Sequence, residues 1–273
     1  MEILALNPPF INNVQLVPNV KDSILRVVAE IKTLAAAFEK QELRYTIREY
    51  HTNKIICEGK SHIKKLQAYN IDTIDFSIAI PGCKLWTPER PFLYRIELRT
   101  STDSYTTHFG MRTFTFDTTT LLPVLNGKTY YLHGTNFALH RFLEDSIHGS
   151  LPWDEKWVRK LICQAKAMNC NITRLHIGFA PEMWYNILDE EGIMVQDEYA
   201  IWGGLMEDTI EQKRFHASTL IAQFTDWMRE RWNHPCVIIW DAMNETKWKG
   251  GTIALNAVRH LDLSNRSWDW WMD

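Results

Sequence analysis

Asn171-Ile172-Thr173-Arg174-Leu175-His176-Ile177, then Pro181-Glu182-Met183-Trp184-Tyr185-Asn186-Ile187-Leu188-Asp189-Glu190-Glu191-Gly192, then Ile193-Met194-Val195-Gln196-Asp197: these three runs decide the fold. The first and third are short and apolar-rich and read as strands, Ile172 to Ile177 and Ile193 to Asp197. Between them Met183, Trp184, Ile187 and Leu188 recur at helical spacing from about Pro181, and Gly192 supplies the C′ stop. Strand, helix and strand in that order imply a right-handed βαβ unit and a parallel sheet.

The same alternation extends to both sides. Upstream, Tyr130 to Gly134 reads as a strand. Asp154 is placed to cap a helix whose inward stripe would be Trp157, Leu161, Ala165 and Met168. Downstream, Leu220, Ile221, Phe224, Trp227 and Met228 mark a long helix. Cys236 to Trp240 follows, near-continuously apolar as a buried parallel strand should be. That makes four strands, whereas a closed (β/α)8 barrel needs eight and typically about 250 residues. The expectation for residues 119–273 is therefore the N-terminal half of a TIM barrel. Its exposed sheet edges point to a truncated chain, or to a barrel completed by another chain.

Residues 1–118 carry a different period. In Tyr94-Arg95-Ile96-Glu97-Leu98-Arg99 apolar and charged residues alternate strictly, and Arg44 to Tyr50 and Asp75 to Ile80 read as further strands. Turn residues at Asn53, Gly59, Pro81-Gly82 and Asp103 break them. Seven or so such strands predict an antiparallel, immunoglobulin-like β-sandwich, without the disulfide of antibody domains. The fold class is thus multidomain, a β-sandwich followed by α/β.

Composition narrows the function. With 45% apolar and 12% aromatic residues the chain can bury substantial cores. Its 30 basic and 33 acidic residues give a net charge of −3, no footprint for nucleic acid and no basic run for a membrane surface. Five dispersed cysteines form no zinc pattern and read as free thiols. Nothing demands a metal or another cofactor. The N-terminus lacks the features of a signal peptide and no apolar run would span a bilayer, so a cytoplasmic location is the default expectation. Twelve tryptophans suit either large core aromatics or sugar-stacking platforms.

The chemistry concentrates in Asn233-His234-Pro235-Cys236-Val237-Ile238-Ile239-Trp240-Asp241-Ala242-Met243-Asn244-Glu245-Thr246. A buried strand ends near Trp240 and delivers Asn244 and Glu245 to the loop above it, where barrels carry catalytic groups. A carboxylic acid beside an amide suits glycoside cleavage: the acid protonates the leaving oxygen while the amide hydrogen-bonds a sugar hydroxyl. A solvated loop carboxylate would show the same local pattern.

That segment resembles the NHPxVxxWxxxNE acid/base signature of family 2 glycoside hydrolases, the β-galactosidase, β-glucuronidase and β-mannosidase group. Other segments resemble the family in order. Leu85-Trp86-Thr87-Pro88-Glu89-Arg90-Pro91-Phe92-Leu93-Tyr94 is similar to its LWSPENPYLY turn, and Phe109-Gly110-Met111-Arg112 to its FGFR. Leu125-Asn126-Gly127-Lys128 with Leu132-His133-Gly134-Thr135-Asn136 resembles LNGKPVFLRGVN. Asn171 to Arg174 and Val195 to Glu198 match N-x-x-R and V-x-D-E.

The resemblance implies a retaining exo-β-glycosidase acting by double displacement on β-galactosides, β-glucuronides or β-mannosides, with a homo-oligomer compatible. It implies Glu245 as general acid/base and Asn244 as its sugar-binding neighbour. Asn136, Arg174 and Glu198 would line the glycone pocket. His176 matches the family histidine only approximately. Trp202 and Trp248 are candidate sugar platforms, with Trp240 better suited to the core, and Asp241 replaces a small residue and could be structural. The nucleophile belongs at strand seven by resemblance and is not in this chain, so the chain alone is expected to be inactive. The sequence is also compatible with two other classes: a carbohydrate-binding or assembly module completed by another chain, and an unrelated α/β enzyme using Asp197 and Glu198 as its acid pair.

Overall fold

The computed structural model describes residues 6–34, 36–38, 41–63, 65–202, 216–246 and 248–269. The chain forms two compact units, one of Met1–Leu85 with Phe92–Met111 and the other of Trp86–Pro91 with Arg112–Asp273.

In the first unit β1 (Phe10–Asn19), β2 (Ile24–Lys32) and β5 (Ile71–Ala79) make one antiparallel sheet. A second holds β4 (Ile55–Ile63), β3 (Gln41–Glu49), β8 (Tyr94–Arg99) and β9 (Ser104–Phe109) in that order. The alternation read from the sequence sets which side packs. Tyr94, Ile96 and Leu98 of β8 are buried, while Arg95, Glu97 and Arg99 face outward. Leu25, Val27, Ala29 and Ile31 of β2 join Leu43 and Ile47 of β3 in the same apolar cluster. Each fully buried aliphatic side chain of this kind contributes about 1.5–3 kcal/mol. A charge at Ile96 would therefore break the sandwich at its centre. Between the flanking segments Trp86–Thr87 (β6) and Arg90–Pro91 (β7) pair as a two-stranded ribbon.

The second unit begins with a small antiparallel sheet of β10 (Phe114–Phe116), β11 (Pro123–Leu125) and β12 (Lys128–Thr129). A parallel sheet follows in simple order: β13 (Gly134–Ala138), β14 (Ile172–His176), β15 (Met194–Glu198), β16 (Val237–Asp241) and β17 (Ser267–Asp269). The described helices are α1 (His140–Leu143), α2 (Glu155–Ala167), α3 (Glu182–Glu191), α4 (Ala217–Arg231) and α5 (Lys249–Val258). This is part of a (β/α)8 barrel, and it follows a β-sandwich along the chain.

Local chemistry explains the helix limits. Asp154 Oδ1 accepts from the backbone N–H of Lys156 at 2.9 Å and of Trp157 at 3.2 Å, which starts α2. Gly192 ends α3 with φ +73°, and a Cβ there would lie 2.6 Å from the Pro88 carbonyl oxygen.

Three expectations are corrected. Among the described residues the parallel sheet has five strands where the sequence pattern predicts four: Ser267–Asp269 pairs with Ile239, Trp240 and Asp241, a strand too short to carry a readable period. The first barrel strand is Gly134–Ala138, not Tyr130–Gly134; Tyr131 is exposed, and the register is set by pairing with Ile172–His176 rather than by local apolarity. The buried stripe of α2 is Val158, Ile162 and Ala165, rotated by one position from the predicted one. The β-branched pair takes the centre, Trp157 and Leu161 flank it, and Met168 at the C-cap is 63% exposed.

Candidate active site

Alternate residues of a strand point to opposite faces, and this sorts the polar residues of the sheet. On the helix side lie Asp197 and Trp240. Asp197 is fully buried and accepts from Tyr185 Oη at 2.6 Å and Trp227 Nε1 at 2.8 Å, so it ties α3 and α4 to β15. Burial pushes its carboxyl above the usual range. Trp240 packs against Trp227 with ring centroids 4.8 Å apart and donates from Nε1 to Asp262 Oδ2 at 2.8 Å. An Asp197–Glu198 acid pair is excluded by this geometry, because the two carboxylates serve opposite faces.

The other face gathers Arg174 and His176 from β14, Gln196 and Glu198 from β15, Asp241 from β16 and Asp269 from β17. Arg174 Nε donates to Asp241 Oδ2 at 2.8 Å and lies 3.1 Å from Glu198 Oε2. Glu198 Oε2 also meets His176 Nδ1 at 2.9 Å and accepts the backbone N–H of Ile177 at 3.1 Å. Its Oε1 is buried and has no hydrogen-bond partner among the described residues. Gln196 Nε2 donates to both Asp241 Oδ2 and Asp269 Oδ2 at 2.8 Å. Burial, with Glu198 and Asp269 nearby and Arg174 opposing them, pushes the Asp241 carboxyl up to about 7.

Beyond the strand ends the loops after β15 and β16 continue side by side. Tyr199 N–H donates to the Asp241 carbonyl at 2.7 Å, and Asn244 N–H to the Ile201 carbonyl at 2.8 Å. Trp202 and Asn244 thereby form a parallel bridge, which sets the Trp202 indole beside the next residue. Trp202 Nε1 donates to Glu245 Oε2 at 3.3 Å. Glu245 is exposed, and its backbone has φ +46°. Ile177, whose N–H reaches Glu198, has φ +44°. A left-handed conformation is costly for either residue and is held only where surrounding structure enforces it, a feature that clusters at functional sites.

The orientation of Asn244 follows from chemistry. Arg174 Nη2 lies 3.0 Å from Asn244 Oδ1. A guanidinium has donors only, so the amide must turn its oxygen to Arg174 and its NH2 away from it. Asn244 is mostly buried, and its backbone carbonyl accepts from Thr246 Oγ1 at 2.8 Å.

The structure thus links Arg174, His176, Glu198, Asn244, Glu245 and Trp202 in one hydrogen-bonded assembly. Asn136 stands in register with Arg174 on β13 and is exposed. Trp248 is largely buried. Three further residues join this network, Gln196, Asp241 and Asp269, none of which the sequence motifs single out as a site residue. The period-two relation of Gln196 to Glu198 was available as a signal, since it places both on the face of Arg174 and His176.

The Asn233-His234-Pro235 segment does a different job. His234 is buried, with Nδ1 2.6 Å from Asp189 Oδ2 and Nε2 3.0 Å from Glu182 Oε1. Asp189 Oδ1 also accepts the Cys236 N–H at 2.8 Å, so the segment pins α3 to the start of β16.

The model described as "Glycosyl hydrolases family 2" matches residues 10–112, and that described as "Glycosyl hydrolases family 2, TIM barrel domain" matches residues 118–266. A putative β-glucuronidase of Formosa agariphila is 28% identical over 236 residues, which is 83% of this chain and 21% of that protein. A β-galactosidase of Oenococcus oeni is 24% identical over 277 residues, 97% of this chain and 26% of that protein. The chain therefore spans about a quarter or less of the length of these curated relatives. Among solved structures, a Bacteroides uniformis β-glucuronidase superposes with a TM-score of 0.73 at 22% identity, over 97% of this chain and 34% of that one. A Faecalibacterium prausnitzii β-glucuronidase gives 0.73 at 23%, over 95% and 41%. At these identities the two structures speak to fold alone.

Proposed function

The chain belongs to glycosyl hydrolases family 2, and from that membership we propose that it carries the proton-transferring half of a retaining exo-β-glycosidase site. Glu245 acts first as general acid, protonating the glycosidic oxygen as the bond to the anomeric carbon breaks. It then acts as base, taking a proton from the water that releases the glycosyl-enzyme. The observation that carries this reading is the Asn244 amide, held oxygen-first by Arg174 immediately before an exposed Glu245. That arrangement leaves the amide NH2 as a donor for a sugar hydroxyl beside the reacting carbon.

The other residues take supporting roles. Glu198 and Asp241 fix Arg174, Glu198 also orients His176, and Trp202 holds Glu245 from one side while offering a ring face for stacking. Asn136 completes the wall from β13. The substrate class is a β-linked galactoside, glucuronide or mannoside; the names of the relatives are in keeping with the first two. Double displacement needs a second carboxylate about 5 Å from the first. We place it on a later barrel strand, outside these 273 residues, and so expect no catalysis from the chain alone.

The test is direct. Nitrophenyl β-galactoside, β-glucuronide and β-mannoside should be turned over by the purified chain no faster than by its Glu245→Gln variant. Robust turnover that disappears in Glu245→Gln would overturn the divided site. Joined to the remaining strands of a barrel, the same residues should hydrolyse one of these substrates, and there Glu245→Gln should remove activity.

A further inference from the structure

We propose that Asp241 is a positioning residue for this site: by holding Arg174 Nε on its Oδ2, it fixes which way the Asn244 amide faces. As a catalytic aid it rests on the function proposed above, but the mechanical claim stands on contacts alone. Arg174 has two carboxylates competing for one Nε–H, Asp241 Oδ2 at 2.8 Å and Glu198 Oε2 at 3.1 Å. The two acids are not equivalent. Glu198 is already satisfied on Oε2 by His176 and by the Ile177 N–H. Among the described residues Asp241 Oδ2 has one other donor, Gln196 Nε2, which it shares with Asp269. The guanidinium fork is rigid and planar, so where Nε is anchored decides where Nη2 points. Anchored on Asp241, Nη2 reaches Asn244 Oδ1 at 3.0 Å.

Asp241 is fully enclosed, with 1% of its surface exposed, on the strand that ends three residues before Asn244. The groups against it are Arg174 on β14, Gln196 and Glu198 on β15 and Asp269 on β17, while His176 meets Glu198 and Glu245 meets Trp202. Burial pushes the Asp241 carboxyl up to about 7, with Arg174 opposing the shift and Glu198 and Asp269 adding to it. Protonation removes the charge that outcompetes Glu198. Arg174 then shifts toward Glu198, and Asn244 loses the donor that dictates its orientation. The amide is thus clamped above neutral pH and released below it, whatever Glu245 does.

The experiment reads the clamp rather than turnover. In the 273-residue chain, the Asn244 side-chain NH2 and Arg174 Nε–H signals are followed by 15N–1H correlation from pH 5.5 to 8.5, assigned by their loss in Asn244→Asp and Arg174→Lys. Both signals should move together with one midpoint near 7 in the native chain. In Asp241→Asn the pH-dependent shift of both should vanish. Asp241→Ser, a smaller replacement, is the second variant and should behave alike. Signals that do not move in the native chain would overturn the proposal, as would a shift that persists in either variant, which would assign it to Glu198, His176 or Asp269. If the coupled shift appears in the 273-residue chain while the polypeptide joined to the remaining barrel strands hydrolyses none of the three glycosides, the proposed function is overturned and the clamp stands.

Discussion

Replacing His234 with Gln provides a quantitative check on the architecture behind the site. His234 is buried between Asp189 and Glu182, 2.6 and 3.0 Å away. Burial opposes its charge, but the two carboxylates win and raise it from the ordinary value near 6.5 to about 9. At about 1.36 kcal/mol per pH unit, a shift of this size is worth about 3 kcal/mol. Because the folded value is the raised one, this stability is complete below pH about 6.5 and declines as pH rises. It is gone above about 9. Urea unfolding followed by tryptophan fluorescence at pH 6 and 9.5 should therefore show the native chain losing about 3 kcal/mol more than His234→Gln over that interval. The variant should also be weaker at pH 6 by about 3–5 kcal/mol, since the buried Asp189 carboxylate loses its histidinium partner and keeps the Cys236 N–H. Equal pH slopes in the two proteins would refute the ion-paired assignment.

Asp197→Ala strands the Tyr185 hydroxyl and the Trp227 indole N–H in the helix layer, and should cost about 2–5 kcal/mol in urea unfolding. Asp197→Asn should cost less, because its amide oxygen still serves one of the two donors. Gly192→Ala combines φ +73° with a Cβ 2.6 Å from the Pro88 oxygen. It should lower stability by at least the about 1–2 kcal/mol of the left-handed conformation, read as a fall in Tm.

Much of this molecule is legible in its residues, for physical reasons that differ by element. The strand Tyr94–Arg99 is plain because one face is buried and the other wet, so the period of two survives in the text. The strand Val237–Asp241 is plain for the opposite reason: buried on both faces, it reads as an apolar run. Gly134–Ala138 and Ser267–Asp269 are hard to read because both lie at sheet edges, where pairing with a neighbour rather than their own apolarity defines them. The motif around Glu245 is visible as a string. Its backbone at φ +46° is not, nor is that of Ile177, since both are imposed by tertiary contacts. Asp241 looks like an incidental substitution until Arg174, sixty-seven positions away in sequence, is seen to reach it. His234 sits inside the signature, yet its partners lie at both ends of another helix.

Whether Glu245 moves the proton is tested most directly by chemical rescue of Glu245→Ala, made in a polypeptide that joins these residues to the rest of a barrel. An aryl β-glycoside with a good leaving group needs no protonation to form the glycosyl-enzyme, whereas its hydrolysis needs the missing base. Azide attacks the anomeric carbon without losing a proton, displacing the enzyme carboxylate. The expected result is a rise in turnover with added azide and a β-glycosyl azide of retained configuration. Turnover at the native rate without azide, or an azide product of inverted configuration, would contradict it.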